Sequence, residues 1–302
     1  MKVKYIFSIL FYSLLFLFYP GNNFYYHLFA YNKNLFQEKK IISKKPLLPI
    51  PYLKNPYYLP NVTAQGIYVV DLPSFTPILK KNEHSRFYPA STTKIITALV
   101  SYDLYQPDQL ITIKNPLLDG QVMNLVDDEK ITVENLLYGI LVHSANDAAY
   151  ALANNYGLEE FVFLMNKKAA SLKMKNTQFK NPAGLDDINQ YTTPFDLALA
   201  AKELLKNKYL AKIASTKEIT VSDVDFKYFH QLKNVNKLLG EIAGIGGLKT
   251  GYTEDAGENL ISFYKKNNHQ FLIVILKSND RFADTKNIID WININVDYFN
   301  FQ

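Results

Sequence analysis

The 302-residue chain has no cysteine, two arginines and one tryptophan. Without cysteine it cannot carry a disulfide scaffold, a thiolate zinc site, an iron–sulfur cluster, a cysteine nucleophile or a lipid-modified cysteine anchor, although the redox compartment stays open. Charge is scarce too. Charged residues make up 20%, and 33 Lys plus Arg against 28 Asp plus Glu leave a formal +5, too slight an excess for a dedicated nucleic-acid binder, so no nucleic-acid partner is expected. Apolar side chains are plentiful. With 48% hydrophobic and 14% aromatic residues, the chain can bury a sizeable core, which excludes disorder over most of its length.

The one long apolar run, Tyr5 to Tyr19, follows Lys2 and Lys4 and stops at Pro20 and Gly21, a signal-like pattern. It is shorter than the roughly 20 residues that span a bilayer, although Phe24 to Tyr31 resumes the apolar character, and Leu28-Phe29-Ala30 makes a poor cleavage site. Residues 1–30 are therefore read as a signal peptide or an N-terminal membrane anchor, against the plainer alternative of a buried core helix. Either reading leaves the two lysines in the cytoplasm and the rest outside it, secreted or held at the outer face of the cytoplasmic membrane. Residues 31–62, with Lys39, Lys40, Lys44, Lys45 and five prolines from Pro46 to Pro60, cannot build a core and read as an extended spacer with solvated lysines.

Residues 63–302 form the expected globular part. Gly66–Asp71 and Pro77–Lys80 read as a β-hairpin, and Gly247–Tyr252, Asn259–Tyr264 and Gln270–Leu276 as three strands. Between these groups, from Ser91 to about Leu210, apolar residues fall at helical spacing, and a helix from Ala283 to about Ile292 closes the chain. Strands at both ends with helices between predict an α+β fold. An antiparallel sheet from the N- and C-terminal segments would be flanked by helices, with a helical lobe beside it and a ligand cleft between.

Three short motifs carry candidate chemistry. Ser91 and Lys94, in Pro89-Ala-Ser-Thr-Thr-Lys94, lie three apart at the start of an apolar helix, which holds a hydroxyl beside an amine. The plain reading is a Ser N-cap and a surface lysine, yet a cation in a first turn opposes the helix dipole. The same spacing also recurs in a strand, at Ser262 and Lys265. Ser144 and Asn146 sit at a break between helical stretches, where both also serve as capping residues. Gly246-Gly-Leu-Lys249-Thr250-Gly251 leads into a strand; Leu248 separates the glycines from the lysine and no helix follows, so it is not a phosphate-binding loop.

Taken in order, Ser-x-x-Lys, Ser-x-Asn and Lys-Thr-Gly, separated by 53 residues (91 to 144) and 105 residues (144 to 249), resemble the penicillin-recognising serine acyltransferases. The words Tyr88-Pro-Ala-Ser-Thr-Thr-Lys-Ile-Ile-Thr-Ala98, Ser144-Ala-Asn-Asp-Ala-Ala149, Asn181-Pro-Ala-Gly-Leu-Asp186, Tyr191-Thr-Thr193 and Leu248-Lys-Thr-Gly-Tyr-Thr253 narrow the resemblance. It is to D-alanyl-D-alanine carboxypeptidases of the low-molecular-mass penicillin-binding proteins, and it runs from about Ala64 to Trp291. The resemblance implies the β-lactamase/transpeptidase-like fold and a serine-type enzyme that removes the terminal D-Ala from peptidoglycan stem peptides, with β-lactam antibiotics as covalent inhibitors. No metal or cofactor is implied.

Ser91 needs a base, and the five histidines show no arrangement that supplies one; His143, beside the second motif, reads as structural. A neutral Lys94, its pKa depressed by a dry cleft and by the second cation Lys249, would serve. The resemblance then gives Ser144 a proton relay toward the leaving amine, Asn146 the substrate amide, and Lys249 with Thr250 the terminal carboxylate. Gly251 allows close approach of the strand, and the backbone N–H groups of Ser91 and Tyr252 suit a tetrahedral oxyanion. Arg281 lies near where relatives carry a basic residue close to the site, and either assists the carboxylate or is a surface charge.

Two departures stand out. Relatives often read Asn-Pro-His-Gly-Leu where this chain has Ala183, and many membrane-bound relatives add a C-terminal β domain and an anchor helix, so attachment here would fall to the N-terminal segment. A β-lactamase is the nearest alternative, without the Glu-x-x-Leu-Asn pattern of the common class. A non-catalytic penicillin-binding or wall-binding module is the other, and it sits poorly with intact motif residues.

Overall fold

A computed structural model of the chain describes residues 2–18 and 49–299 and divides it into two units, residues 1–47 and 48–302. In the first unit, helix α1 (Lys2–Phe18) exposes Val3, Ile6, Phe7, Leu10 and Leu14. Among the described residues no helix is long and apolar enough to cross a membrane. The poor cleavage site at Leu28–Ala30 and most of the expected spacer lie outside the described residues.

The second unit is built on a five-stranded antiparallel sheet in the order β3-β2-β10-β9-β8. Its strands are β2 (Gly66–Asp71), β3 (Pro77–Lys81), β8 (Ile245–Thr253), β9 (Gly257–Lys266) and β10 (His269–Ser278). These are the five expected from the sequence, the last three longer by a few residues. In central β10 alternate side chains enter two separate cores: Leu272, Val274 and Leu276 pack on one face, Phe271, Ile273 and Ile275 on the other. A strand covered on both sides reads as an unbroken apolar run for that reason.

One face is covered by helix α8 (Arg281–Asn295), through Ile288, Ile289, Trp291 and Ile292. The other carries the helical lobe: α2 (Lys94–Leu104), α3 (Val133–Tyr138), α4 (Asn146–Tyr156), α5 (Leu158–Ser171), α6 (Pro194–Lys206) and α7 (Lys208–Ala214). From Lys94 to Ser101 every residue of α2 is buried, so it is the lobe's central helix, apolar around most of its circumference.

The sequence reading needs two corrections. The stretch expected to be helical holds a hairpin of β4 (Leu110–Thr112) and β5 (Lys130–Thr132), and a second hairpin, β6 (Glu218–Ser222) with β7 (Phe229–Lys233), follows α7. Three-residue strands are too short to show a period of two. The spacer expected over 31–62 is docked in its final part: β1 (Ile50–Leu53) pairs with β11 (Val296–Phe299). Asn295 then accepts from the Asn55 N–H and donates to its carbonyl, and the Trp291 indole N–H donates to the Tyr58 carbonyl. Pro51 is tolerated because β1 has one sheet neighbour and an open edge.

Candidate active site

Ser91 lies in a 3₁₀ turn, Ala90–Thr93, that runs straight into α2. The turn is held from below. Asn259 of β9, fully buried, donates through Nδ2 to the carbonyls of Tyr88 and Pro89, at 3.0 and 3.2 Å. Buried Ala90 takes φ +47, a left-handed conformation costing a non-glycine residue on the order of 1 kcal/mol. Two glycines make room around it. A Cβ on Gly184, itself at φ +87, would fall 1.8 Å from the Ala90 carbonyl oxygen, and one on Gly251 would fall 3.1 Å from the Ser91 nitrogen. Strand β8 therefore passes directly beside the Ser91 N–H.

Lys94, fully buried, directs Nζ to three oxygens: Ser91 Oγ at 2.9 Å, Asn146 Oδ1 at 2.7 Å and the Ala183 carbonyl at 2.8 Å. The last two only accept. A neutral amine has two hydrogens, and giving them to these acceptors leaves its lone pair facing Ser91 Oγ. Burial pushes the Lys94 pKa down to about 7, against an opposing pull from Asp147. Of the two expected causes, the dry surroundings act on Lys94, while the repulsion between the two cations is felt at Lys249. A neutral amine also escapes the dipole penalty at a helix start.

The second motif is placed by an unusual turn. Residues Gly139–His143 form a π-helical turn whose cap, Ser144, sits in the left-handed region at φ 64, ψ 28. Widened turns of this kind are frequent at functional sites, and here the turn carries Ser144 inward before α4 begins at Asn146. Ser144 Oγ accepts from Lys249 Nζ at 2.8 Å. Asn146 is held on every side: its N–H by the Gln121 carbonyl, its Nδ2 by the Asp119 carbonyl, its Oδ1 by Lys94.

From β8, Lys249 is 2% exposed and also donates to the Thr250 carbonyl at 2.9 Å. Burial, then the charges of Lys94 and Arg281, hold its pKa well below the usual lysine range. Because the Thr250 carbonyl faces this side, the N–H of Tyr252, two residues on along an extended strand, does so as well. β8 is the sheet edge, so that N–H has no strand to pair with. The Tyr252 ring itself is exposed.

Ser91, Lys94, Ser144, Asn146, Lys249, Thr250, Gly251 and Tyr252 thus come together. Arg281, at the start of α8, donates through Nη1 to the Gly251 carbonyl at 2.8 Å while its own N–H is taken by Glu258; it braces β8, close enough to Lys249 to depress it. His143 is set apart, facing Gln121 and the Lys233 backbone. Sequence reasoning missed Asp119, Gln121 and the part played by Ala183, all of which act through backbone carbonyls and leave no side-chain signature, and Asn259, whose only signal is a lone amide inside an apolar strand. The Ala183 departure costs nothing at Lys94, since any residue supplies that carbonyl. Among the described residues no group of three or more His, Asp or Glu is placed to hold a metal ion.

The chain has relatives among known proteins. The D-alanyl-D-alanine carboxypeptidase family matches residues 54–280. D-alanyl-D-alanine carboxypeptidase DacF of Bacillus subtilis is 34% identical over 240 residues, covering 76% of this chain and 61% of the relative. DacA of Haemophilus influenzae is 30% identical over 263 residues, 80% of this chain and 64% of the relative. The chain therefore spans somewhat under two thirds of the length of these curated relatives. The D-alanyl-D-alanine carboxypeptidase of Streptomyces strain K15 is 32% identical over 217 residues, 65% of this chain and 75% of the relative. The crystal structure of the K15 DD-transpeptidase superposes with a TM-score of 0.73 at 29% identity, covering 78% of this chain and 98% of that one. The fold is that of the DD-transpeptidases, and the chain belongs to the D-alanyl-D-alanine carboxypeptidase family.

Proposed function

We propose that this protein is a serine-type D-Ala-D-Ala carboxypeptidase that trims peptidoglycan stem peptides through an acyl-enzyme on Ser91. The observation that carries the reading is the placing of the buried Lys94 amine: Nζ lies within hydrogen-bond distance of two pure acceptors and 2.9 Å from Ser91 Oγ, so that when neutral it turns its lone pair to the Ser91 hydroxyl. In the first step Lys94 takes the Ser91 proton as Oγ bonds to the penultimate D-Ala carbonyl carbon. Negative charge collects on the carbonyl oxygen, between the N–H groups of Ser91 and Tyr252; each such donor is worth about 3 kcal/mol.

Collapse of that intermediate breaks the C–N bond. The leaving amine needs a proton: the one Lys94 took from Ser91 passes to it through Ser144, which is hydrogen-bonded to Lys249, and Lys94 is left neutral again. Water then attacks the ester, Lys94 again acting as base, and frees Ser91. Lys249 and Thr250 receive the terminal carboxylate, with Arg281 adding positive potential behind β8. Asn146 offers Nδ2 to the substrate amide in exchange for the Asp119 carbonyl it holds at 3.1 Å.

β-Lactams follow the same first step and stop at the acyl-enzyme. The exposed apolar side chains of α1 support a signal or anchor role for residues 1–30, with the catalytic unit, residues 63–302, acting outside the cytoplasm. Incubation with a Lys-D-Ala-D-Ala peptide tests the proposal: free D-Ala in equimolar yield with the shortened peptide is expected. Turnover of penicillin far faster than of peptide would instead assign a β-lactamase, and neither reaction a wall-binding module.

A further inference from the structure

A buried pair outside the reacting groups, His230 of β7 and Glu129 just before β5, is 5% and 2% exposed. The His230 Nδ1 lies 2.9 Å from the Met123 carbonyl oxygen, and Nε2 lies 2.7 Å from Glu129 Oε1. A carbonyl only accepts, so Nδ1 must carry a hydrogen; the Nε2–Oε1 contact needs one as well, on nitrogen or on oxygen. Both contacts hold only while the pair keeps one proton beyond a neutral imidazole and a carboxylate. Without it, lone pairs face each other at Nε2 and Oε1 or, after a tautomer change, at Nδ1 and the Met123 oxygen.

The pair grips the segment 119–126. Glu129 Oε2 accepts from the Val126 N–H at 2.9 Å, and Asp147 accepts from the Met123 and Leu125 N–H groups, both at 3.0 Å. The same segment supplies the Gln121 and Asp119 carbonyls that hold Asn146, which in turn holds Lys94. We propose that His230 and Glu129 form a one-proton clasp: the proton between them pins segment 119–126 and thereby positions Asn146 against Lys94. The clasp itself stands on its own geometry, and its effect on catalysis rests on the proposed roles of Ser91 and Lys94.

The groups facing the imidazole set the direction of its response. Burial disfavours its charge, but the Glu129 hydrogen bond and charge, the Met123 carbonyl and the Asp147 charge outweigh burial, and the pKa is raised above the ordinary 6.5. On the open side His230 borders a cavity of about 410 Å³ shared with Lys227, Tyr228 and His143. A raised imidazole stabilises the fold fully below 6.5 and loses that contribution as pH climbs through the raised value. The clasp therefore opens on the alkaline side.

Glu129→Gln separates this from a merely structural role. Its amide donates to Nε2 of a neutral imidazole while its oxygen keeps the Val126 N–H, so the titrating proton is replaced by a permanent one. Amide hydrogen exchange over 119–126, penicillin acylation rate and the His230 ring resonance are followed in a pH series extending well above 6.5. In the wild type, the protection factors over 119–126, which divide out the intrinsic base-catalysed rise of exchange with pH, are expected to fall about tenfold and acylation to fall at the pH where the ring titrates; in Glu129→Gln that transition is expected to vanish from both. The same transition persisting in the variant, or wild-type ring titration without a change in the protection factors, would overturn the clasp. Exchange changing while acylation does not would overturn the positioning of Asn146. Normal exchange behaviour with no acylation at any pH would count against the Ser91 assignment and leave the clasp standing.

Discussion

Lys94 Nζ and Ser91 Oγ lie 2.9 Å apart, one helical step along the same turn, and the other two directions of the amine end on Asn146 Oδ1 and the Ala183 carbonyl. The α2 backbone sets the distance between the two groups, while residues from α4 and the Asn181–Leu185 loop set which way the lone pair points. That division makes the site's chemistry separately testable from its architecture.

With the Lys94 pKa near 7, the reactive form gains population as pH rises. Acylation of Ser91 by penicillin is expected to climb close to tenfold per pH unit on the acid side and to level off above about 7, until the His230–Glu129 clasp opens and the rate declines. Stability has the same sign: between about 7 and the ordinary 10.5 the unfolded chain holds a proton on Lys94 that the fold excludes, so stability increases with pH across that window. Lys94→Arg, which cannot lose its proton, is expected to lower the acylation rate by about 10²–10⁴-fold. Stopped-flow acylation across pH checks both; a flat acid limb would remove Lys94 as the base.

Lys249 contributes recognition of the substrate's negative end. Lys249→Gln keeps a hydrogen-bond donor toward Ser144 but cannot hold the proton that a bound carboxylate draws onto the Lys249 amine, and the loss of a charged hydrogen bond of about 2–3 kcal/mol corresponds to roughly 30–150-fold in kcat/KM. The informative comparison is a peptide ending in a free carboxylate against the same peptide amidated. The wild type is expected to prefer the acid strongly and the variant to treat both alike; an undiminished preference in the variant would place the carboxylate elsewhere.

Gly184 is required by the close approach of two loops. Its left-handed φ and the 1.8 Å from an added Cβ to the Ala90 oxygen make Gly184→Ala destabilising by on the order of 3 kcal/mol, since the atom it meets is backbone that cannot swing aside. Thermal unfolding of the variant should show a drop of several degrees together with reduced acylation, because the displaced segment carries Ser91. A variant as stable as the wild type would mean that the Asn181–Leu185 loop does not pack on the nucleophile turn.

Much of this arrangement is legible in the sequence because its carriers are side chains with strong local signals. The unbroken apolar run Phe271–Leu276 marks a strand covered on both faces, and Ser91, Ser144 and Lys249 announce themselves by spacing and order. What stays hidden is carried by backbone or by distant pairing. The carbonyls of Asp119, Gln121 and Ala183 look like those of any residue. The docking of Ile50–Leu53 on Val296–Phe299 joins segments from opposite ends of the globular unit, and no local pattern in a proline-rich stretch foretells a partner so far away in sequence. The β7 alternation, with His230 and Leu232 inward and Phe229, Gln231 and Lys233 outward, was available but brief.

That Ser91 is the nucleophile and reacts through an adjacent uncharged amine is tested by intact-protein mass after exposure to benzylpenicillin. The wild type is predicted to gain the mass of one whole penicillin molecule, since the β-lactam ring opens without losing atoms, and Ser91→Ala is predicted to stay unchanged while unfolding at a similar temperature. A wild-type mass that does not move, or an adduct that survives in Ser91→Ala, would contradict it.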